Sequence, residues 1–497
     1  MRYLLAAVLV HLLMFSLLVV AVLTANGGHF QYALDDAYIH MAVAKNFVLS
    51  GVWGITPYAT TSSLSSVLWP WLLVGTYSLF GVNALSPLLL NLLLSLLLIG
   101  LAFLLLPPRR AFLFSLGASL LGSTLGLTFT GLEHILHALA TLLLLALTAD
   151  LLKVGRWSPL ALFSVAALTT GARYEGMAAV LILSLYRLYR RDPLGATALL
   201  LGGAIPVVLY GLWSISAGWY FLPTSVLTKM YRFNLSSSAG LMDFLGLKAV
   251  RAALKEPALY SIVVASLWSL ERGKFKGAAL AGLAIILAQL QFGNVGWFYR
   301  YEAYAVILGL FILLLNASPP EGWFRRMAAL ALMLPLLLRG WKVLHGVPTA
   351  SNEQFRQDYQ MAMFVRRYYD GGVVVLNDVG NVAFYTEARI LDLWGLATRE
   401  TAEMLLEGRY TWERVDSLVR AKGGEIGILY GDVFAHRHFP IGWEEVGIWY
   451  LEDVKPLVVG SPALYFYAIS EEPDTLRSRI VRYSRMELPP KVLWEVF

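Results

Sequence analysis

Two adjacent carboxylates, Asp35 and Asp36, are the groups in this sequence best suited to proton transfer, and they follow a long apolar segment. Neighbouring carboxylates repel each other, so near a membrane surface of reduced dielectric at least one should have a raised pKa, which suits a general base. Either residue could instead cap a helix that begins at Ala37. The two roles are compatible, because a helix N-terminus would also hold a catalytic carboxylate in place.

A second polar group, Glu133, His134 and His137, raises the question of a bound metal. Residues three and four apart share one face of a helix, and carboxylate and imidazole groups are metal ligands. Histidines at helix starts are more often plain hydrogen-bonding residues, and the sequence shows no further ligand nearby. We therefore expect no metal and no other cofactor, with a divalent metal as the alternative, and a substrate-binding or supporting role for Glu133.

The composition indicates which solvent surrounds these groups. The 497-residue chain is 58% hydrophobic and 14% charged, whereas a soluble domain carries roughly 25% charge. Its net charge of +6 would suggest nucleic acid in a soluble protein, but many basic residues lie in short loops between apolar segments, where they orient membrane helices. The absence of cysteine excludes a disulfide framework and a thiolate nucleophile. The sequence therefore predicts a polytopic α-helical membrane protein with no nucleic-acid partner.

About eleven apolar segments approach the length of roughly 20 residues that a membrane-spanning helix needs. If the first runs from the cytoplasm outward, every loop that falls inside is basic, as the positive-inside rule requires. The N-terminus is then cytoplasmic and, because the number of spans is odd, the C-terminal part lies outside. The predicted spans are 3–25, 84–106, 111–128, 131–149, 158–172, 176–190, 195–216, 256–270, 277–291, 300–316 and 326–340.

The loops on the outer side combine both signs of charge with Trp, Tyr, Pro and Gly. The first outer loop, 26–83, contains a predicted amphipathic helix at 37–49 and an apolar stretch at 67–80 that is too short to cross the membrane. Another long loop, 217–256, carries Lys229, and long loops with helices of their own are usually functional. Single loop charges are normally solvated, but several mixed-charge groups on one face favour an active site.

The composition changes to that of a soluble domain after about residue 341. Helices are predicted there at 352–369 and 411–422, and strands at 372–376, 425–430 and 463–469, an alternation typical of a small α/β domain. We therefore divide the chain into a membrane domain, 1–340, and an extracytoplasmic α/β domain, 341–497. Asp378 and Asp392 lie beside predicted turns and should have structural or docking roles, with acceptor binding as the alternative.

The segment around the acidic pair resembles the start of the GT-C glycosyltransferases, polytopic enzymes that use lipid-phosphate sugar donors. Many members open with an acidic pair, an amphipathic helix and a serine-rich segment that leads into Leu-Trp, as Thr61-Ser62-Ser63 and Leu68-Trp69 do here. The chain is most similar to the terminal arabinofuranosyltransferases of mycobacteria and, more distantly, to protein O-mannosyltransferases and aminoarabinose transferases. The likeness continues through 130–134, 173–176, 222–225, 297–301, 377–380 and 391–396.

This resemblance implies a GT-C type fold and an inverting transfer of a sugar from a polyprenyl phosphate. The first acidic residue of the family's pair removes the proton from an acceptor hydroxyl, a role that falls on Asp35. Asp36 occupies the place where relatives often have Glu, and it would orient the acceptor or share a proton or an ion with Asp35. The motifs do not encode the sugar, and the acceptor could be a glycan, a lipid or a protein.

A departing polyprenyl phosphate gains negative charge, so fixed cations beside it stabilise the transition state more than the ground state. Lys229 and Arg300 are the first candidates, followed by Arg173. Arg300 could instead snorkel to the interface among its aromatic neighbours, and Lys229 could be a solvated loop charge. The candidates for binding other parts of the substrates are Glu133, His134, Glu175, Tyr301 and Tyr58.

The leading prediction is therefore a glycosyltransferase of the bacterial inner membrane, with a polyprenyl-phosphate-linked sugar, an extracytoplasmic acceptor and membrane lipids as partners. A transporter or flippase of lipid-linked sugars is the alternative. A transporter should place ionisable groups near the bilayer midplane, and many transporters contain an internal repeat that this sequence lacks. A non-catalytic envelope assembly protein is the third alternative, and for such a protein the charge of Asp35 should not matter.

Overall fold

The N-terminal part of the protein is built from helices. The computed structural model describes residues 1–229, 238–271, 273–316, 322–431, 442–452 and 455–497. The helices of this part are α1 (Arg2–Ala25), α2 (Asp36–Ser50), α3 (Leu68–Phe80), α4 (Ser86–Leu105), α5 (Pro108–Leu120), α6 (Thr124–Thr128), α7 (His134–Thr148), α8 (Ser158–Ala172), α9 (Gly176–Tyr189), α10 (Pro193–Ser216), α11 (Thr224–Lys229), α12 (Ser238–Met242), α13 (Lys248–Lys255), α14 (Pro257–Ser269), α15 (Lys276–Phe292), α16 (Ala303–Asn316) and α17 (Trp323–Gln354).

Several of these helices have the length and composition of membrane spans. Among the residues that the structure describes, four helices are long and apolar enough to cross a membrane, namely α1, α4, α10 and a 46-residue helix that begins with α17 and ends at Tyr368. Shorter apolar helices, including α7, α8 and α16, accompany them. Leu9, Leu13 and Leu17 of α1 are each more than half exposed, which suits contact with lipid chains.

A helix lies at each segment predicted to span the membrane, with two differences in the boundaries. The segment 111–128 is divided between α5 and α6, because the chain turns at Gly122 and at Ser123, whose φ of 66° is left-handed. The segment 326–340 does not end at 340. It continues through α17 and, after a π-helical turn at Phe355–Tyr359, through α18 (Gln360–Tyr368). This helix is roughly 70 Å long, so it carries the chain directly from the membrane part into the C-terminal part.

The C-terminal part contains a mixed β-sheet. Its elements after α18 are β1 (Val373–Leu376), α19 (Gly380–Tyr385), β2 (Arg389–Asp392), α20 (Arg399–Leu406), α21 (Trp412–Ala421), β3 (Ile426–Tyr430), β4 (Glu444–Leu451), β5 (Ala463–Ala468), α22 (Pro473–Met486) and β6 (Val492–Val496). In the described residues the strand order is β2-β1-β3-β5-β4-β6, with β1 parallel to β2 and β3 and the other neighbours antiparallel. The predicted strands correspond to β1, β3 and β5, and the sheet extends beyond them with β2, β4 and β6.

The C-terminal part packs against residues 26–83, which follow α1. α2 is predicted as an amphipathic helix but is buried from Ala37 to Asn46, because α3 and α19 both pack against it. One hydrophobic core continues from Tyr38 of α2 to Phe384 of α19 and on to Val374 of β1. This packing places the acidic pair, at the start of α2, beside the loop that follows β1.

Candidate active site

The Asp35 carboxylate is held by the C-terminal sheet domain and not by its own helix. Asp35 is 8% exposed, and among the described residues it makes no side-chain cap bond to α2. Its Oδ2 accepts a hydrogen bond from the N–H of Gly380 (2.6 Å), and its Oδ1 accepts bonds from the N–H and the Nδ2 of Asn381 (2.8 Å each). Asp35 therefore caps the N-terminus of α19, 345 residues away in the chain.

The surroundings of Asp35 set its basicity. Burial raises the pKa of Asp35 above its usual value, the hydrogen bonds from Asn381 and Gly380 oppose this shift, and the neighbouring charge of Asp36 adds to it. The net result is a raised pKa. This is the direction that a general base working near neutral pH requires.

The close approach of Asp35 to α19 depends on two residues of that helix. A Cβ atom on Gly380 would lie 2.2 Å from the backbone carbonyl oxygen of Asp35, so a larger residue at this position would push the two segments apart. The Oδ1 of Asn381 accepts a hydrogen bond from the Nε2 of Gln31 (2.7 Å). The amide thus accepts from Gln31 with its oxygen and donates to the Asp35 carboxylate with its Nδ2.

The opposite end of α19 is held by α2 as well. The Lys45 ammonium, which is 6% exposed, donates hydrogen bonds to the carbonyls of Phe384 (3.0 Å) and of Ala383 and Thr386 (3.4 Å each). The segment 35–45 thus supplies a carboxylate at the N-terminus of α19 and an ammonium at its C-terminus, and both charges complement the helix dipole. The segment 35–45 is thereby fixed to α19 at two points.

Asp36 forms an ion pair with Arg300, one of the predicted phosphate-binding residues. Arg300 Nη1 lies 2.9 Å from Asp36 Oδ2, and the Arg300 side chain is only 4% exposed. The guanidinium also donates a hydrogen bond to the hydroxyl of Tyr301 (3.2 Å) and lies 5.0 Å from the centre of that ring. Arg300 is therefore buried against the acidic pair and does not extend to an interface as a snorkelling side chain would.

The chain reaches Arg300 through an unusual backbone turn. Gly296, Trp297, Phe298 and Tyr299 have left-handed φ angles of 87°, 47°, 59° and 60°. The left-handed conformation costs roughly 1–2 kcal/mol for each residue that carries a side chain. Such strain persists only where the surrounding contacts impose it, and it is concentrated at functional sites.

A second network is centred on Arg173, which joins two of the predicted substrate-binding residues. Arg173 Nη1 lies 2.6 Å from Glu133 Oε1, and its Nη2 lies 2.6 Å from Glu175 Oε1. Glu133 is fully buried, so this contact neutralises a carboxylate that water does not solvate. The Tyr301 ring lies 5.7 Å from the Arg173 guanidinium and connects this network with Arg300.

His40 and Ser65 are candidate functional residues that the sequence analysis missed. His40 Nε2 lies 4.0 Å from Glu133 Oε2 and 3.3 Å from the Ser65 hydroxyl, which donates a hydrogen bond to Glu133 Oε1 (3.1 Å). Burial lowers the pKa of His40, and the charge of Glu133 opposes this shift. A signal was available in the sequence, because His40 follows Asp36 by four residues and lies on the same helix face.

The two histidines of α7 have different surroundings. His134 Nε2 lies 3.5 Å from Arg173 Nη1 and so belongs to the network of that arginine. The His137 ring packs against Tyr304, with 4.4 Å between the ring centres. Within the described ranges, no group of three or more His, Asp or Glu residues is arranged to hold a metal ion. Glu133, the carboxylate of the proposed ligand group, is bound by Arg173 instead.

The acidic pair lies where a smaller and a larger cavity meet. The smaller cavity has a volume of about 280 Å³, and the larger one of about 1090 Å³. Asp36, Arg300 and Tyr301 line both cavities, whereas Asp35 lines the larger one. The smaller cavity is also lined by His40, Ser65, Arg173, Glu175, Gln289 and Tyr304, and the larger by Lys248, Arg251, Trp297, Asp378, Trp394 and Tyr430.

The remaining predicted binding residues, Lys229 and Tyr58, are not brought to the acidic pair by any described contact. Lys229 is the last residue of α11, and its side chain lies outside the described part of the structure. Tyr58 is 49% exposed, donates a hydrogen bond to the carbonyl of Glu387 (2.9 Å) and stacks with Arg389 at 4.8 Å. Tyr58 therefore lies at the contact with the C-terminal domain and lines neither cavity.

Asp378 and Asp392 have separate surroundings in the C-terminal domain. Asp392 is fully buried and accepts hydrogen bonds from three N–H groups within 394–397 (2.6–2.8 Å), so it shapes the turn after β2. Asp378 lines the larger cavity and accepts a hydrogen bond from the Tyr430 hydroxyl. Burial and the charge of Asp35 raise the pKa of Asp378 to about 7. Asp378 is therefore a second titratable carboxylate that interacts with Asp35.

Comparisons with known proteins were made for the sequence and for the fold. Residues 348–468 match the model of a family described as a domain of unknown function (DUF8728). A comparison with curated proteins finds no match. The fold is similar to that of ArnT from Cupriavidus metallidurans bound to undecaprenyl phosphate, with a TM-score of 0.55 and 13% identity over 93% of this chain and 98% of that chain.

Two further solved structures are similar over most of this chain. The Archaeoglobus fulgidus oligosaccharyltransferase tethered with an acceptor peptide has a TM-score of 0.48 and 13% identity, covering 93% of this chain and 74% of that chain. The arabinofuranosyltransferase AftD from mycobacteria has a TM-score of 0.38 and 12% identity, covering 95% of this chain and 40% of that chain. All three are GT-C glycosyltransferases. The likeness to ArnT confirms the predicted GT-C fold, and the long apolar helices are those of an integral membrane protein.

Proposed function

We propose that the protein is an inverting glycosyltransferase that moves a sugar from a polyprenyl phosphate to a hydroxyl of a glycan, a lipid or a protein. The membrane domain, 1–340, carries the reaction at the extracytoplasmic face of the bacterial inner membrane. The N-terminus is cytoplasmic and the domain 341–497 lies outside. The observation that carries this proposal is the ion pair between Asp36 and the buried Arg300 (2.9 Å), which adjoins Asp35 and faces both cavities.

In the proposed reaction, Asp35 accepts the proton of the acceptor hydroxyl. The hydroxyl oxygen attacks the anomeric carbon, the bond from that carbon to the phosphate oxygen breaks, and the bonding electrons leave with the phosphate. Attack from the face opposite the leaving group inverts the anomeric configuration. The raised pKa of Asp35 supports its role as the base.

Arg300 stabilises the departing phosphate, because its fixed charge interacts more strongly with the developing dianion than with the donor. Its burial at 4% exposure supports this role, since water screens a buried charge less than an exposed one. Arg173 assists Arg300 from the smaller cavity, where Glu175 binds sugar hydroxyls. Asp36 holds the Arg300 guanidinium between the two cavities and orients the acceptor.

The test measures the release of undecaprenyl phosphate from a panel of undecaprenyl-phosphate-linked monosaccharides, with an envelope extract as the source of acceptors. Asp35→Asn should lower the release rate about 100-fold or more, because proton removal by a positioned base contributes at least that factor. Asp474→Asn is the control, since the Asp474 side chain is 95% exposed, and it should leave the rate unchanged. A normal rate in Asp35→Asn would contradict the proposal, as would net movement of the lipid-linked sugar across vesicles without release.

A further inference from the structure

We propose that the buried ion pair between Glu302 and Arg339 is a positioning device for Arg300. The pair holds residues 296–299 in the left-handed turn that sets the Arg300 guanidinium on Asp36. This inference rests on the proposed function, in which Arg300 faces the departing phosphate. Neither Glu302 nor Arg339 lines either cavity, so both act through the turn and not on a substrate.

The ion pair bonds both ends of the turn. Glu302 is fully buried, Arg339 is 3% exposed, and their charged atoms lie 3.3 Å apart. Glu302 Oε2 accepts a hydrogen bond from the N–H of Gly296 (2.9 Å), where the turn begins. Arg339 Nη2 donates a hydrogen bond to the carbonyl of Tyr299 (2.8 Å), where it ends, and the guanidinium stacks on the Tyr299 ring at 5.3 Å. The strained segment is therefore closed by one pair of side chains.

Arg339 has anchors of its own outside the turn. Its Nη1 donates hydrogen bonds to the carbonyl of Leu121 (2.9 Å) and to the hydroxyl of Ser123 (2.6 Å). The next residue, Gly340, packs so closely that a Cβ atom there would lie 2.5 Å from the carbonyl oxygen of Leu120. Arg339 thus has a fixed position relative to the end of α5. Its hydrogen bond to Tyr299 fixes the turn relative to α5 as well.

The chain before the turn is held by two neighbouring helices. Lys248 of α13 donates a hydrogen bond to the carbonyl of Gly293 (2.8 Å), and Gln289 of α15 donates one to the carbonyl of Asn294 (2.7 Å). Because residues 293 and 294 are held in place, the φ angles at 297–299 determine where Arg300 lies. A right-handed or extended path at these residues would carry the Arg300 backbone in another direction and separate its guanidinium from Asp36.

Trp297 offers a matched pair of substitutions that separates the backbone from the side chain. Its side chain is 51% exposed, and both Trp297→Gly and Trp297→Val remove the indole. Glycine adopts a left-handed φ without steric cost, whereas β-branched valine opposes it. We expect Trp297→Val to bind undecaprenyl phosphate about ten-fold more weakly than Trp297→Gly does, measured by equilibrium binding of the labelled lipid to the full chain in nanodiscs.

Glu302→Gln tests the ion pair itself. The glutamine can still accept the Gly296 N–H but no longer neutralises Arg339, so we expect undecaprenyl phosphate to bind about ten-fold more weakly. Adding Trp297→Gly, which lowers the strain of the turn, should recover part of this loss. The control is Asp150→Asn, which removes a carboxylate from another buried arginine, Arg187. This control should leave the affinity unchanged.

The outcomes separate this inference from the proposed function. Equal affinities in Trp297→Gly and Trp297→Val would overturn the inference, and so would a normal affinity in folded Glu302→Gln. Should Glu302→Gln fail to fold, the Trp297 pair decides alone. If Arg300→Ala binds undecaprenyl phosphate as tightly as the unchanged protein does, the phosphate site of the proposed function is wrong. If Arg300→Ala binds undecaprenyl phosphate weakly while Trp297→Gly and Trp297→Val bind it equally, the phosphate site stands. Only the role of the turn in positioning Arg300 is then wrong.

Discussion

Replacing Asn381 by alanine should raise the pH at which the protein gains activity. The change removes one of the three hydrogen bonds to the Asp35 carboxylate and leaves the two backbone N–H donors in place. A hydrogen bond to a charged group contributes about 1.5–3 kcal/mol, and one pKa unit corresponds to about 1.4 kcal/mol. Because the lost bond stabilises the ionised form, the pKa of Asp35 should rise by about one to two units.

The sign of the effect follows from the role of Asp35 as a base. Only the ionised carboxylate accepts the acceptor proton, so a higher pKa moves the acidic limb of the rate profile upward by the same one to two units, approximately. The assay is the rate of undecaprenyl phosphate release as a function of pH. Gln31→Ala is the matched control, because it removes the partner of the Asn381 Oδ1 but keeps all three bonds to Asp35. An acidic limb that stays in place in Asn381→Ala, or that moves equally in Gln31→Ala, would refute this reasoning.

Three more predictions concern the neighbourhood of Asp35. Asp378→Asn should shift the acidic limb of the same profile to lower pH, because the two carboxylates repel each other; a shift to higher pH would contradict the coupling. Lys45→Met should lower the thermal midpoint of the purified protein, because it deletes charged hydrogen bonds to α19 that contribute about 1.5–3 kcal/mol. The control is Lys422→Met, whose side chain is 48% exposed, and it should leave the midpoint unchanged. Chelation with EDTA should leave the release rate unchanged, because Arg173 already pairs with both Glu133 and Glu175; a loss that added Mg²⁺ or Mn²⁺ restores would argue for a metal.

The helical architecture was predictable because it depends on local composition. A run of about 20 apolar residues can only be satisfied as a helix in hydrocarbon, so α1, α4 and α10 follow from the sequence alone. The strands β2, β4 and β6 were harder to predict. Two of them, β4 and β6, pair antiparallel at one side of the sheet and mix exposed and buried residues, so neither forms the continuous apolar run that marks β1 and β3.

The candidate site was predictable where a motif lies within a few residues of chain. Asp35 and Asp36 are identifiable by their adjacency, and Arg300 is identifiable as the cation of the motif 297–301. The structure brings Asp36 and Arg300 into contact. The bonds from Asn381 to Asp35 join positions 346 residues apart, and no local sequence pattern predicts a partner at that distance. In the sequence, Glu302 and Arg339 are two charges beside or within apolar segments. Only the structure shows that they form an ion pair that bonds both ends of the turn 296–299.

The continuous helical stretch from Trp323 to Tyr368 has a mechanical consequence. Arg339 and Ser351 both lie in α17, and Ser351 donates a hydrogen bond to the carbonyl of Gln31 (2.7 Å), just ahead of the acidic pair. Pro348 and the π-helical turn at Phe355–Tyr359 are the places where this stretch can bend, so a displacement of the C-terminal sheet would reach Arg339 through them. A binder of the C-terminal sheet that bends the helix at either place should therefore disturb the turn before Arg300 without entering either cavity.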